Sequence, residues 1–327
     1  MPEMNVASLQ SEEQRQYVAV ARDVTERKEA EEKLKQIEWL LDKRVASKAS
    51  HLMKPAYGDL TEMNSCRLVL DSVGKNTLYD IVGDYLDLLD TSAAVYEKDG
   101  SYALGLFTSG WCRYLDHTSR ALCGNVNNAE AMESGKWHCH EACWRHASLV
   151  SMENGKPVDI ECLGGIHLYA VPIRAGGKTA GSINFGYGDP PQDPVKLREI
   201  AERYGVRVDE LLEQAKAYEP RPPFIINLAK KRLAASARLI GEIIDRKLAE
   251  QKVKQSIEKL KMSEKGIISA LALTVEQRDP YTAGHQQRVS LLAYAIAVEM
   301  GLPEDQIEGI RIAGVVHDIG KIHIPAE

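Results

Sequence analysis

Hydrophobic positions along this chain change their period several times, and each change predicts an element. Residues 17–22 (YVAVAR) are apolar enough for a single strand. After them comes Asp23-Val24-Thr25-Glu26-Arg27, where Asp23 or Thr25 can cap a helix and Glu26 fits its first turn. Ala30, Leu34, Ile37 and Leu41 then recur at spacings of four, three and four. Flanked by Glu and Lys, they form the a/d stripe of a short coiled coil.

From about residue 76 the pattern is different. Leu78, Ile81, Val82, Tyr85 and Leu89 mark a helix over 77–89. SAAVYEKDGSYALGLF holds two apolar runs divided by Lys98-Asp99-Gly100, a hairpin signal because Asp-Gly tolerates the positive φ of a tight turn. IHLYAVPI and TAGSINFG form a second pair around Gly176-Gly177, and Tyr187-Gly188-Asp189-Pro190-Pro191 ends the region. Hairpins mixed with helices predict an α+β domain with an antiparallel sheet. One or two helices over 194–217, broken near Tyr204-Gly205, lead to a hinge at Pro220, Pro222 and Pro223.

Leu233, Ala237, Ile240, Ile244 and Leu248 resume coiled-coil spacing, continued after an irregular step by Val253, Ile257 and Leu260. Charges on both sides of this stripe favour a dimeric connector, with a helix folded back onto its own domain as the alternative. Beyond Ser263 the pattern is helical: Ile267, Leu271 and Val275, then Leu291, Leu292, Ala295, Ile296 and Val298, then a helix from about Glu304 to His317. This region begins an all-α domain.

Composition narrows the function classes. The 327 residues carry a net charge of −6 and no basic patch that stands out, which speaks against nucleic-acid binding. No apolar run reaches the roughly 18 residues of a membrane span, and the N-terminus lacks a signal peptide's basic start and apolar core. The expectation is a cytoplasmic protein.

Five of the six cysteines lie between Cys112 and Cys162. In WHCHEACWRH, Cys139, Cys143 and His146 fall at i, i+4 and i+7, which would place them on one helical face. With Cys112, Cys123 or Cys162 they could hold zinc, or the thiolates could hold an iron–sulfur centre or cycle as a redox pair. Plain packing of buried cysteines is the competing reading.

RDPYTAGHQQRV precedes an apolar helix, and HDIGKIHIP follows, with His317 lying 32 positions after His285. A His followed directly by an Asp late in an apolar helix sets two strong divalent-cation ligands beside one cavity. Lys321 can offset phosphate charge, and Arg288, three residues after His285, is a further phosphate candidate.

These two motifs resemble the opening of the HD-GYP family. That resemblance implies cyclic di-GMP phosphodiesterase activity at an iron or manganese centre, with His285, His317 and Asp318 as metal ligands and Lys321 as a phosphate contact. The later family ligands and the Gly-Tyr-Pro loop do not occur, so this HD domain (265–327) is expected to be incomplete and inactive alone. WCRYLD, HCHEACW, ENGKPVDIECLGG, YAVPI and INFGYGDPP resemble, in order, the PocR-type ligand-binding domain (59–235), a PAS-like fold associated with sensing small organic ligands. YVAVARDVTERKEAEEKL resembles the end of a PAS domain (1–28) leading into a signalling helix (29–58). The expected whole is a multidomain α+β protein: a PAS-like sensor joined by a linker helix (236–264), dimeric in the leading reading, to the first helices of an all-α HD domain. A non-catalytic, dimerising sensor module is the alternative.

Overall fold

The computed structural model describes residues 3–10, 15–22, 25–46, 58–89, 91–107, 110–278 and 284–323. Asp23, Val24, residues 279–283 and the closing Pro325-Ala326-Glu327 lie outside them, as do the side chains of Leu41 and Tyr85. The chain divides into two compact units, Met1–Arg246 and Lys247–Glu327.

In the first unit the strand expected at 17–22 is β2 (Arg15–Arg22), and it is not alone. It pairs antiparallel with β1 (Glu3–Gln10), from Glu3 opposite Arg22 to Gln10 opposite Arg15. The alternation of Met4 and Val6 stops at Ser8, which left β1 without a sequence signal. Helix α1 (Thr25–Ala46) follows, with Leu34 and Ile37 exposed.

The body of this unit is a five-stranded antiparallel sheet in the order β4-β3-β7-β6-β5. Its strands are β3 (Ser92–Glu97), β4 (Tyr102–Phe107), β5 (Val158–Glu161), β6 (His167–Ala175) and β7 (Lys178–Tyr187). Both predicted hairpins are present: Gly100 turns β3 into β4 at φ 91°, and Gly176-Gly177 turns β6 into β7 at 55° and 74°. Every residue of β3 is buried, as an inner strand covered on both faces must be.

On one face of the sheet lie α2 (Leu68–Val73) and the start of α10 (Pro223–Arg278). Glu97, wholly buried, ties α2 down by accepting from the Val69 and Leu70 amides and the Asn64 side chain. The amides at this helix start have no intrahelical acceptor, so the carboxylate caps them. Lys230 of α10 bonds Asp159 at 2.6 Å and sits 4.2 Å from the Tyr187 ring centroid. Helix α3 (Lys75–Leu89) completes this part of the chain.

The opposite face carries the segment around the cysteines: α4 (Gly110–Ala121), α5 (Asn128–Glu133), α6 (His138–Glu141), a π-helix (Ala142–Leu149) and α7 (Val150–Asn154). Ala142 and Ala147 pack on Leu168 and Ala170 of β6. Helices α8 (Pro194–Tyr204) and α9 (Val208–Ala217), separated at Gly205, bury Leu197, Ile200, Tyr204 and Leu211 against Trp111 and Leu115.

The stripe of α10 corrects the connector reading in part. Leu233, Ala237, Ile240 and Ile244 are at most 2% exposed within one chain. Gly241 sits so close to the Arg174 carbonyl that a Cβ there would overlap it. This stretch is folded onto its own sheet, so it cannot serve as a dimer seam. Val253, Ile257 and Leu260, in the second unit, are exposed.

The second unit contains α10 from Lys247 on, where Ala272 and Val275 are buried, with α11 (His285–Glu299) and α12 (Glu304–Val316). Gly301, at φ 66°, turns α11 toward Pro303 and α12. No helix among the described residues is long and apolar enough to cross a membrane.

Candidate metal centre and sensor cavity

Helices α11 and α12 meet where Ser290 faces Gly314. A Cβ at 314 would stand 2.7 Å from the Ser290 Cα, so only glycine permits this approach. The Ser290 hydroxyl donates to the Arg311 carbonyl at 2.7 Å and pins the crossing. Because the helices touch here, the start of α11 is brought beside the end of α12. His285 opens α11 directly after Gly284, and His317 ends α12, with their ring centroids 5.4 Å apart.

One ligand atom from each of His285, His317 and Asp318 lies within 4.8 Å of the others. The His317 Nδ1 is 2.8 Å from the Gly314 carbonyl. A carbonyl can only accept, so Nδ1 carries the proton and Nε2 keeps its lone pair for a cation. That Nε2 is 3.5 Å from the Asp318 carboxylate. Lys321, on the short 3-10 turn Ile319–His323, bonds the same carboxylate at 2.7 Å and, as the largest cause, holds its pKa below the usual range. Two imidazoles and an ionised carboxylate beside a lysine fit a divalent cation with an anionic ligand near it. Arg288 folds back over Gly284, one helical turn from His285.

The cysteines divide. Cys112, Cys139, Cys143 and Cys162 line one cavity of about 40 Å³ between α4, the π-helical segment and the sheet. At roughly 10–15 Å³ per water, it has room for a few water-sized groups. Cys123 lies outside it, its Sγ set among the Ser119 and Ala131 carbonyls and Ser134. His146 is exposed and absent from the wall, so the expected shared face does not hold. The wider π turn that begins at Ala142 changes the angular step on which that expectation rested.

Burial raises the Cys139 and Cys143 thiols well above their ordinary value and pushes Cys162 up to about 12. The Gly164 amide donates to Cys162 Sγ at 3.3 Å, and the Tyr204 hydroxyl lies 3.8 Å from Cys139 Sγ. Ser92, Trp111, Asn184 and Tyr204 also line the cavity. No local signal singled them out, because strands and helices far apart in sequence bring them together.

The description "Sensory domain found in PocR" matches residues 72–246, just over half of the chain. The chain belongs to the PocR sensory-domain family. The cysteine-lined cavity therefore lies inside its PocR domain. The HD domain description matches residues 282–327, which hold His285, His317 and Asp318. Over 76 residues the PocR-family chain is 36% identical to the cyclic di-GMP phosphodiesterase response regulator RpfG of Xanthomonas campestris, covering 23% of this chain and 20% of that protein. Over 59 residues it is 42% identical to a cyclic di-GMP phosphodiesterase of Thermotoga maritima, covering 18% and 16%. It is also 36% identical over 61 residues to the 3'3'-cGAMP-specific phosphodiesterase 1 of Vibrio cholerae, covering 19% and 14%. The chain thus spans a fifth or less of the length of these relatives. No solved structure matches it.

Proposed function

We propose that this chain is part of a cytoplasmic, sensor-regulated phosphodiesterase acting on a cyclic dinucleotide, with cyclic di-GMP as the substrate. The convergence of His285, His317 and Asp318 beside Lys321 carries this reading. The two imidazoles and the carboxylate would hold iron or manganese, which when bound supplies an activated water and neutralises phosphate charge. Lys321 would shift from Asp318 toward a phosphate oxygen, with Arg288 as a second cationic contact. Similarity to phosphodiesterases over the HD region supports the activity.

In this reading the PocR domain is PAS-like, a view its five-stranded antiparallel sheet supports, and it receives a small organic molecule or a metal or redox signal at its cavity. The domains run as 1–28, a PAS-like segment; 29–58, a signalling helix; 59–235, the sensor; 236–264, the linker; and 265–327, the HD segment. Val253, Ile257 and Leu260, 60%, 49% and 70% exposed, form the seam of a homodimer through which the signal acts.

The test is hydrolysis of cyclic di-GMP and of 3'3'-cGAMP by the full-length protein with iron or manganese. His317→Ala and Asp318→Ala should each lower turnover by at least about tenfold. Turnover of neither dinucleotide, or variants as active as the parent, would overturn the reading. The second reading, a ligand-binding and dimerising module without activity, is supported by the small ligand set: only three groups meet among the described residues. Metal binding without turnover would favour it.

A further inference from the structure

Four thiols, set among the apolar side chains of the core, surround one cavity. Cys112, Cys139, Cys143 and Cys162 come from α4, α6, the π-helix and the turn after β5, yet all face the same space. A single tetrahedral ion with metal–sulfur bonds of about 2.3 Å needs sulfurs about 3.8 Å apart. Among the described residues, the only ligand atoms that meet in threes within 4.8 Å are those of His285, His317 and Asp318. The thiols are therefore too widely spaced for one ion, while an iron–sulfur cluster, which places inorganic sulfide and several irons between its thiolates, spreads its ligands further.

A second observation points the same way. Ser92, only 8% exposed, lines this cavity, and its hydroxyl has no hydrogen-bond partner among the described residues. A buried orphan hydroxyl destabilises the fold unless something accepts from it. Sulfurs of a cluster would do so. The Gly164 amide donates to Cys162 Sγ, and the Tyr204 hydroxyl, in contact with Cys139 Sγ, would donate to it as a thiolate; such bonds stabilise thiolate ligands and tune a cluster.

We propose that Cys112, Cys139, Cys143 and Cys162 hold an iron–sulfur cluster in the PocR domain, with Ser92 donating to a cluster sulfur. Each thiol gives its proton to water as its sulfur–iron bond forms, and the positive irons offset the cost of burying thiolates. This deepens the sensor reading and rests on it for its biological use. Cluster content is measured apart from any phosphodiesterase assay, so the two readings fail separately.

The chain is purified anaerobically, reconstituted with ferrous iron and sulfide, desalted, and assayed for iron, acid-labile sulfide and zinc. The expected result is iron and sulfide in about equal amounts, with a visible sulfur-to-iron band bleached by dithionite. Each of Cys112→Ser, Cys139→Ser, Cys143→Ser and Cys162→Ser should lose more than about half of the iron, while Cys66→Ser and Cys123→Ser keep it. Circular dichroism checks each fold. If a variant unfolds, iron X-ray absorption on the wild-type chain decides by showing sulfur-only coordination. Zinc without sulfide, no bound metal, iron bound through oxygen or nitrogen, or an equal loss in Cys123→Ser would overturn the proposal.

Discussion

Gly314 lies against Ser290, close enough that a side chain at 314 would meet the Ser290 backbone at 2.7 Å. Through this contact a small residue one turn before His317 sets the distance from His317 to His285. Gly314→Val should cost about 1–3 kcal/mol by overpacking and weaken manganese binding at least about tenfold as the two imidazoles separate. Titration calorimetry with manganese on parent and variant checks this, and unchanged affinity would remove the role given to the crossing.

Gly241 poses a similar question in the sensor. Alanine normally gains about 1 kcal/mol over glycine in a helix. Here the added methyl would overlap the Arg174 carbonyl, a backbone atom of β6 that cannot swing aside. The expected outcome for Gly241→Ala is a net loss of about 1–2 kcal/mol, read by urea unfolding. A stabilised variant would mean that helix and sheet are less tightly joined.

His140 introduces a pH dependence. Burial holds its imidazole down to about 4, against an ordinary 6.5; the Tyr102 hydroxyl, which accepts a hydrogen bond from the Tyr96 hydroxyl, lies 3.0 Å from Nδ1. The unfolded chain takes a proton near pH 6.5, whereas the folded chain resists until about 4. Stability should therefore be level above pH 6.5 and fall as pH drops from 6.5 toward 4, by at most about 3 kcal/mol. Urea unfolding at pH 7 and 4.5 should show this slope, and His140→Gln should flatten it.

Thiol reactivity should follow burial. Cys66 is exposed, whereas the Cys139, Cys143 and Cys162 thiols are kept neutral by burial at ordinary pH. A thiolate-selective reagent at pH 8 should label Cys66 first and those three only after denaturant is added. Mass spectrometry of the labelled peptides reads the order. Early labelling of Cys139 or Cys143 would mean that the cavity opens readily.

Much of this was legible locally. Asp99-Gly100 and Gly176-Gly177 marked both hairpins because a positive φ belongs to very few residue types. Gly205 marked the break between α8 and α9 for the same reason. His285 and His317-Asp318 carried their chemistry in residue type and order, and residues 282–327 match the HD description.

Other features depended on what packs against what. The stripe Leu233–Ala237–Ile240–Ile244 has the same spacing whether it faces a second helix or its own sheet, and the position of Arg174 decided for the sheet. His146 left the cysteine face because the segment winds as a π-helix, a change that residue type alone does not announce. Sequence by itself determined the turns and the candidate ligand types, since both are properties of single residues. Only the tertiary structure decided which four thiols share a cavity and how closely His285 meets His317, since distance between remote residues arises from packing.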